Sequence, residues 1–203
     1  MRAPTVILLI LLFVISPTVA ATLVPPTMRP YTGIGILMLT VAGDSLNDPL
    51  TLYEEPGLSR LGCLNPGKIP GYGWILGESP AAASMIVTGR KGLWLRVVYD
   101  DAGREAWLNP ARSDVFNTWD VFLKDRVGRL LPGLQKKYYQ LYHRPDKAVL
   151  AALTTGQFLK ILQLENDWVL VLSDRNSLGW LRWRDEDGRL LISVISAPHG
   201  MQP

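Results

Sequence analysis

The chain carries one Cys, Cys63, and two His, His143 and His199. A cysteine nucleophile needs an imidazole beside it. His143 stands next to Arg144 far along the chain and His199 lies among the last residues, so no spacing pairs either with Cys63. One thiol and two imidazoles also fall short of a zinc site. The acidic clusters "YDD" (99–101) and "RDED" (184–187) have the composition of paired carboxylates or a calcium site. Both fall where a hairpin turn is expected, and turn chemistry accounts for Asp there. These residues point to a non-enzyme, with no catalytic residue, no metal and no cofactor. A hydrolase built on the loop around Cys63 would need an oriented Cys–His pair.

The aromatic residues say more. In "GLWLRVVYDDAGREAWLNP" (92–110), strand alternation puts Trp94 and Arg96 on one face and Leu95 and Val97 on the other. Leu95 and Val97 are expected to point inward. Trp94 is then partly exposed, beside an Arg able to orient an acidic group. The stretch "NDWVLVLSDRNSLGWLRW" (166–183) repeats the pattern. Trp168 aligns with Trp94, Val169 with Leu95, Val171 with Val97 and Leu172 with Val98. A polar turn follows in each, then Trp107-Leu108 or Trp180-Leu181. Upstream, "LTLYEEPG" (50–57) matches "YQLYHRPD" (139–146), which makes Tyr53 and Tyr142 equivalent. Matched blocks in the same order mark an internal duplication. In the second copy Trp168, Leu170 and Leu172 form a wholly apolar face that should not lie open to water. Docking within the chain is its expected use.

Positioning these side chains falls to short β-rich runs broken by Gly, Pro, Asp and Asn, the pattern of an all-β protein made of small barrels or sandwiches. The copies differ in length: residues 57–93 separate Pro56 from Trp94, whereas 146–167 separate Pro145 from Trp168. The excess centres on "LGCLNPGKIPGYGWILGESPAAAS" (61–84), where Tyr72 and Trp74 are flanked by Gly residues that let backbone approach a ligand. Between the copies, "NTWDVFLKDRVGRLL" (117–131) spaces Trp119, Phe122, Leu123, Val127 and Leu130 at helical intervals. Asp120 with Lys124 and Asp125 with Arg129 fall at i,i+4 in the favourable orientation. A short amphipathic linker helix is predicted. The segment "WRDEDGRLLISVIS" (183–196) reads as a hairpin around Asp187-Gly188 that adds a strand to the second copy.

At the N-terminus, Arg2 precedes an apolar run from Val6 to Ile15, broken by Pro17 and followed by Ala20 and Ala21. That is the order of a cleavable signal peptide. The run is shorter than the about 20 residues of a membrane span. The expected product is exported, periplasmic or extracellular, without a stable membrane span. The net charge of +3 forms no dense basic patch, so nucleic acid is not an expected partner. A single Cys allows no internal disulfide, and stability must come from core burial. The expected organisation is a signal peptide at 1–21, a first barrel at 22–113, a helical linker at 114–137, a second barrel at 138–197 and a tail at 198–203.

The second copy resembles the bacterial SH3 (SH3b) domain, through "LYHRPD" followed by "LTTGQFLKILQLENDWVLVLSDRNSLGWLRW". The carrying positions are Gly156 with Ile161, then Trp168, then Gly179-Trp180. The first copy departs from the pattern by its enlarged loop. The resemblance implies two small SH3-like β-barrels in tandem. It also implies an aromatic groove in each: Tyr53, Trp94 and Trp107 in the first, Tyr142, Trp168 and Trp180 in the second. The first barrel is expected to carry the open ligand groove, with Arg96 and the loop residues Tyr72 and Trp74. In the second, Tyr142, Trp168, Leu170 and Trp180 are expected to pack between barrels or to form an alternative groove. The expected function is non-catalytic recognition of a cell-wall peptide or of a segment of an envelope protein. The alternative is a structural or assembly subunit of an envelope complex that binds no small ligand.

Overall fold

The computed structural model describes residues 29–39, 49–77 and 83–195. The expected signal peptide and the 198–203 tail lie outside them. The described chain is all-β and forms two seven-stranded antiparallel sheets. The first contains β1 (Gly35–Leu39), β2 (Leu50–Glu55), β3 (Leu58–Leu64), β4 (Ala83–Lys91), β5 (Trp94–Val98), β6 (Glu105–Leu108) and β7 (Val115–Thr118). The second contains β8 (Val127–Leu130), β9 (Gln140–Tyr142), β10 (Val149–Ala152), β11 (Leu159–Glu165), β12 (Trp168–Ser173), β13 (Leu178–Arg182) and β14 (Ile192–Val194). The spatial orders are β3-β2-β6-β5-β4-β1-β7 and β10-β9-β13-β12-β11-β8-β14. Counted from its own first strand, each sheet has the same order.

The registers repeat as well. Val87 pairs with Val97 in the first sheet and Ile161 with Val171 in the second, and each β4–β5 or β11–β12 pairing then shifts by one residue at a bulge. Tyr53 faces Trp107 across β2–β6, as Tyr142 faces Trp180 across β9–β13. The turn before each tryptophan strand uses a left-handed residue, Gly92 (φ 62) in one copy and Asn166 (φ 52) in the other. The duplication therefore extends over seven strands, beyond the blocks recognisable in sequence.

Leu95, Val97, Val169 and Val171 are all buried, as alternation requires. Leu37, Met85, Val87, Leu95, Val97 and Leu108 fill the core of the first unit. On the opposite side of the same strands Ile36, Ile86 and Val98 join a second, larger cluster that runs into the second unit. The first-unit strands at this point are buried on both faces, and a continuous apolar run such as "GILML" is what such strands need.

Two short helices close the junction. α1 (Gly73–Leu76), from the enlarged loop, buries Ile75 and Leu76 and ends at Gly77, whose φ of 66 suits a helix C-terminus. α2 (Trp119–Leu123) buries Trp119, Phe122 and Leu123. The Trp119 indole N–H donates to the Thr32 carbonyl at 2.6 Å, and its ring lies 5.3 Å from that of Trp183. Backbone bonds add to the junction: Thr32 N–H to Gly188 O and Leu190 N–H to Pro30 O. The Arg29 guanidinium pairs with Asp185 at 2.8 Å.

The linker differs from the helix expected over 117–131. Only Trp119–Leu123 is helical. Lys124 is already extended (ψ 135) and Asp125 takes a left-handed φ of 62, which ends the helix. Val115–Thr118 is the last strand of the first sheet and Val127–Leu130 the first strand of the second, so the units meet across 119–126 rather than 114–137. The burial of 127–130 alternates, with Gly128 and Leu130 in and Val127 and Arg129 out. Neither Asp120–Lys124 nor Asp125–Arg129 is an ion pair among the described residues. The 184–187 turn behaves as expected: the Asp185 side chain accepts from the N–H groups of Asp187 and Arg189, and β14 follows as an edge strand on β8.

Candidate functional site

Each unit presents one outer aromatic cluster. In the first, Tyr53 and Trp94 meet edge to face, ring centroids 5.2 Å apart at 87°. Trp107 lies across from both Tyr53 and Arg96. All three rings are only half-buried. Gly57 sits under Trp94, where an added Cβ would come within 3.6 Å of the indole. The exposed Arg96 guanidinium is held by Glu105 at 2.8 Å, on the same face. A ligand acid would have to compete with Glu105 for it.

The second unit repeats the pair. Tyr142 and Trp168 meet at 5.3 Å and 85°. Here the Arg182 guanidinium lies 5.0 Å above the Trp168 ring, and Trp168 is 6% exposed. This covering comes from within the unit. The expected packing of the Trp168 face between the units is not what the fold uses: the junction is built from α1, α2, Trp183 and β14. A hollow of about 190 Å³ beside Trp168 is walled by Tyr142, Arg182, Tyr138 and Glu186. The Tyr138 hydroxyl donates to Glu186, and the Lys137 ammonium lies 3.0 Å from the same carboxylate. Tyr138 first, then the backbone and Lys137, hold the Glu186 carboxyl down at about 2. Leu170 is half-buried, Trp180 is half-buried opposite it, and Leu172 is exposed.

The structure separates Tyr72 and Trp74 from the cluster of Tyr53, Trp94 and Trp107. They line a third site, a cleft of about 610 Å³ where the units meet. Tyr72 and Trp74 come from the start of α1, Asp101 and Glu105 from the β5–β6 hairpin, Tyr31 from the N-terminal segment and Arg189 from the second unit. Packing explains the separation. Ile75 and Leu76 are drawn into the junction core, and the helix carries its neighbouring aromatics to the rim. Trp74 is 48% and Tyr31 53% exposed. Burial, then the Asp101 and Asp100 carboxylates, raise the Tyr72 hydroxyl above the ordinary tyrosine value. Arg189 lies 4.0 Å over the Tyr31 ring and donates to its hydroxyl and to the Arg29 carbonyl. Glu105 lines both this cleft and the edge of the Trp94 cluster.

Tyr31, Asp101, Arg182 and Arg189 were not singled out from sequence as site residues. Arg182 had a usable signal: it follows Trp180 by two residues on one strand and so shares its face. Tyr31 and Arg189 had none, since they meet only through the docking of the two units. Cys63 is exposed on β3 and accepts a hydrogen bond from Arg60, while His143 is exposed in the β9–β10 turn of the other unit. No protein-family model and no curated protein matches the chain.

Proposed function

We propose that the protein is an exported, non-catalytic recognition module of two SH3b-like units, which grips a cell-wall peptide or an extended segment of an envelope protein through its outer aromatic face. The observation that supports this reading is where the units dock. Their junction leaves the Tyr53–Trp94–Trp107 cluster half-open to solvent, with a charged pair, Arg96–Glu105, at its edge. Aromatic anchors with a polar rim suit peptide recognition. The pair of equivalent Tyr–Trp clusters, one more covered than the other, favours the first unit as the principal groove.

The structural-subunit reading draws on a different observation, the apolar cluster that runs without a break from one unit into the other. Co-sedimentation with purified peptidoglycan separates the two. Binding by the wild-type protein and about thirty-fold weaker binding by Trp94→Ala, confirmed folded by circular dichroism, is the expected result. Equal retention of the two proteins, or none of either, removes the peptidoglycan-groove reading and leaves the envelope-protein segment and the structural subunit, which a pull-down from envelope extract with wild type and Trp94→Ala then separates.

A further inference from the structure

We propose that the cleft between the units is a second ligand site, which takes a short peptide segment bearing a side-chain ammonium and a carboxylate. The site lies apart from the Tyr53, Trp94 and Trp107 rings and shares Glu105 with the edge of that outer face. Its volume, about 610 Å³, lies within the range of ligand pockets, about 300–1,000 Å³. Three rings line it, and two of them, Tyr31 and Trp74, are about half exposed although large and apolar. The charges around them are not mutually satisfied. Asp101 has no basic partner among the described residues, whereas its neighbour Asp100 is paired with Arg104 and Glu105 with Arg96. Arg189 has no carboxylate partner for its guanidinium among the described residues; it donates only to a carbonyl and a phenol. An unpaired carboxylate from one unit and an unpaired guanidinium from the other thus line a single aromatic cleft.

The complement of that arrangement is a dipolar ligand. Its ammonium lies among the ring faces near Asp101, where cation–π attraction and the carboxylate act together. Its carboxylate meets the Arg189 guanidinium, whose planar fork suits a bidentate contact. Burial first, and after it the Asp101 and Asp100 carboxylates, raise the Tyr72 hydroxyl, so the negative charge of this wall reaches the ring. The apolar stem between the two charges packs on Trp74.

Isothermal titration calorimetry with Nα-acetyl-Lys-Ala tests this directly, since that probe has one ammonium and one carboxylate. Saturable binding is expected. Acetylating the lysine Nε or amidating the C-terminus should each weaken it about tenfold. Asp101→Asn, in an exposed turn, should weaken the unmodified probe and shrink the effect of Nε-acetylation to the part that the rings supply. Arg189→Gln, which removes the positive charge and is checked by circular dichroism, should likewise shrink the difference between the carboxylate and amide forms. Trp94→Ala should leave all of these values unchanged, which separates this site from the outer groove. No saturable heat up to ~10 mM, or a full response to Nε-acetylation in Asp101→Asn, overturns the proposal.

Discussion

The two units use the same strands in the same order, yet their outer faces have opposite fates. In the first, Trp94, Arg96 and Val98 succeed one another along one face of β5, and only the Trp94 end stays open. Val98 disappears with Ile36 and Ile86 beneath α1, α2 and the second unit. In the second, the registers place Trp168, Leu170 and Leu172 on the corresponding face of β12, with Val127 and Lys160 where the first unit has Ile36 and Ile86. There the Trp end is the covered one, and Leu172, Val127 and Lys160 are exposed. A shared backbone therefore does not decide which end of a sheet face becomes an interface. A few side chains on that face do: Arg96 with Glu105 holds polarity beside the open cluster, and Arg182 shields the other tryptophan.

The most damaging way to break the comparison is at its common foundation. Val97 and Val171 occupy matching inward positions at 0% and 1% exposure. Aspartate at either should cost several kcal/mol, comparable with the whole stability of a small domain, about 5–15 kcal/mol. Both variants are expected to lose the native near-ultraviolet circular dichroism signal. A native spectrum from either would end the equivalence of the two positions.

A smaller effect tests the asymmetry itself. Trp168→Ala removes a buried ring together with its Tyr142 and Arg182 contacts and should cost about 3–5 kcal/mol. Trp94→Ala removes a half-exposed one, and about 1–2 kcal/mol is expected from the smaller area lost. Urea denaturation measures both, and equal losses would mean that the clusters are energetically alike.

The smallest effect concerns Glu186, which has its Tyr138 and Lys137 partners in the second unit. Its folded value, about 2, lies below that of an unfolded glutamate, about 4.3. The stabilisation is therefore complete above the unfolded value and is lost as pH falls toward 2. The side chain is 55% exposed, so solvent screening keeps the contribution under about 1 kcal/mol. Glu186→Gln should flatten that part of the acid limb of a stability–pH curve. An unchanged slope between pH about 4.3 and about 2 would show the partners to be idle.

The inward positions were legible in sequence because alternation is a local property: Leu95, Val97, Val169 and Val171 could be assigned from five-residue runs. The linker was misread because Trp119, Phe122 and Leu123 do lie on one helical face, and adding Val127 and Leu130 extends the count. Asp125 belongs to a type that tolerates the left-handed conformation, but its i,i+4 spacing from Arg129 read as a helical pair and hid that signal. The enlarged loop was recognised as unusual, but not as a docking element. Nothing near Ile75 and Leu76 in the chain announces β14, more than a hundred residues away, against which they pack. Tyr72 and Trp74 are expected from sequence beside Tyr53 and Trp94; the structure sets them in the cleft instead, next to Tyr31 and Arg189, which only the docking of the two units brings there.

Lys160 stands where the first unit has Ile86. Ile86 is fully buried in the junction cluster, whereas Lys160 is exposed. A single ammonium at the centre of the second unit's exposed face makes that face expensive to desolvate. Lys160 thus keeps the second unit's outer face in water, whereas the matching Ile86 face of the first unit is given over to the junction.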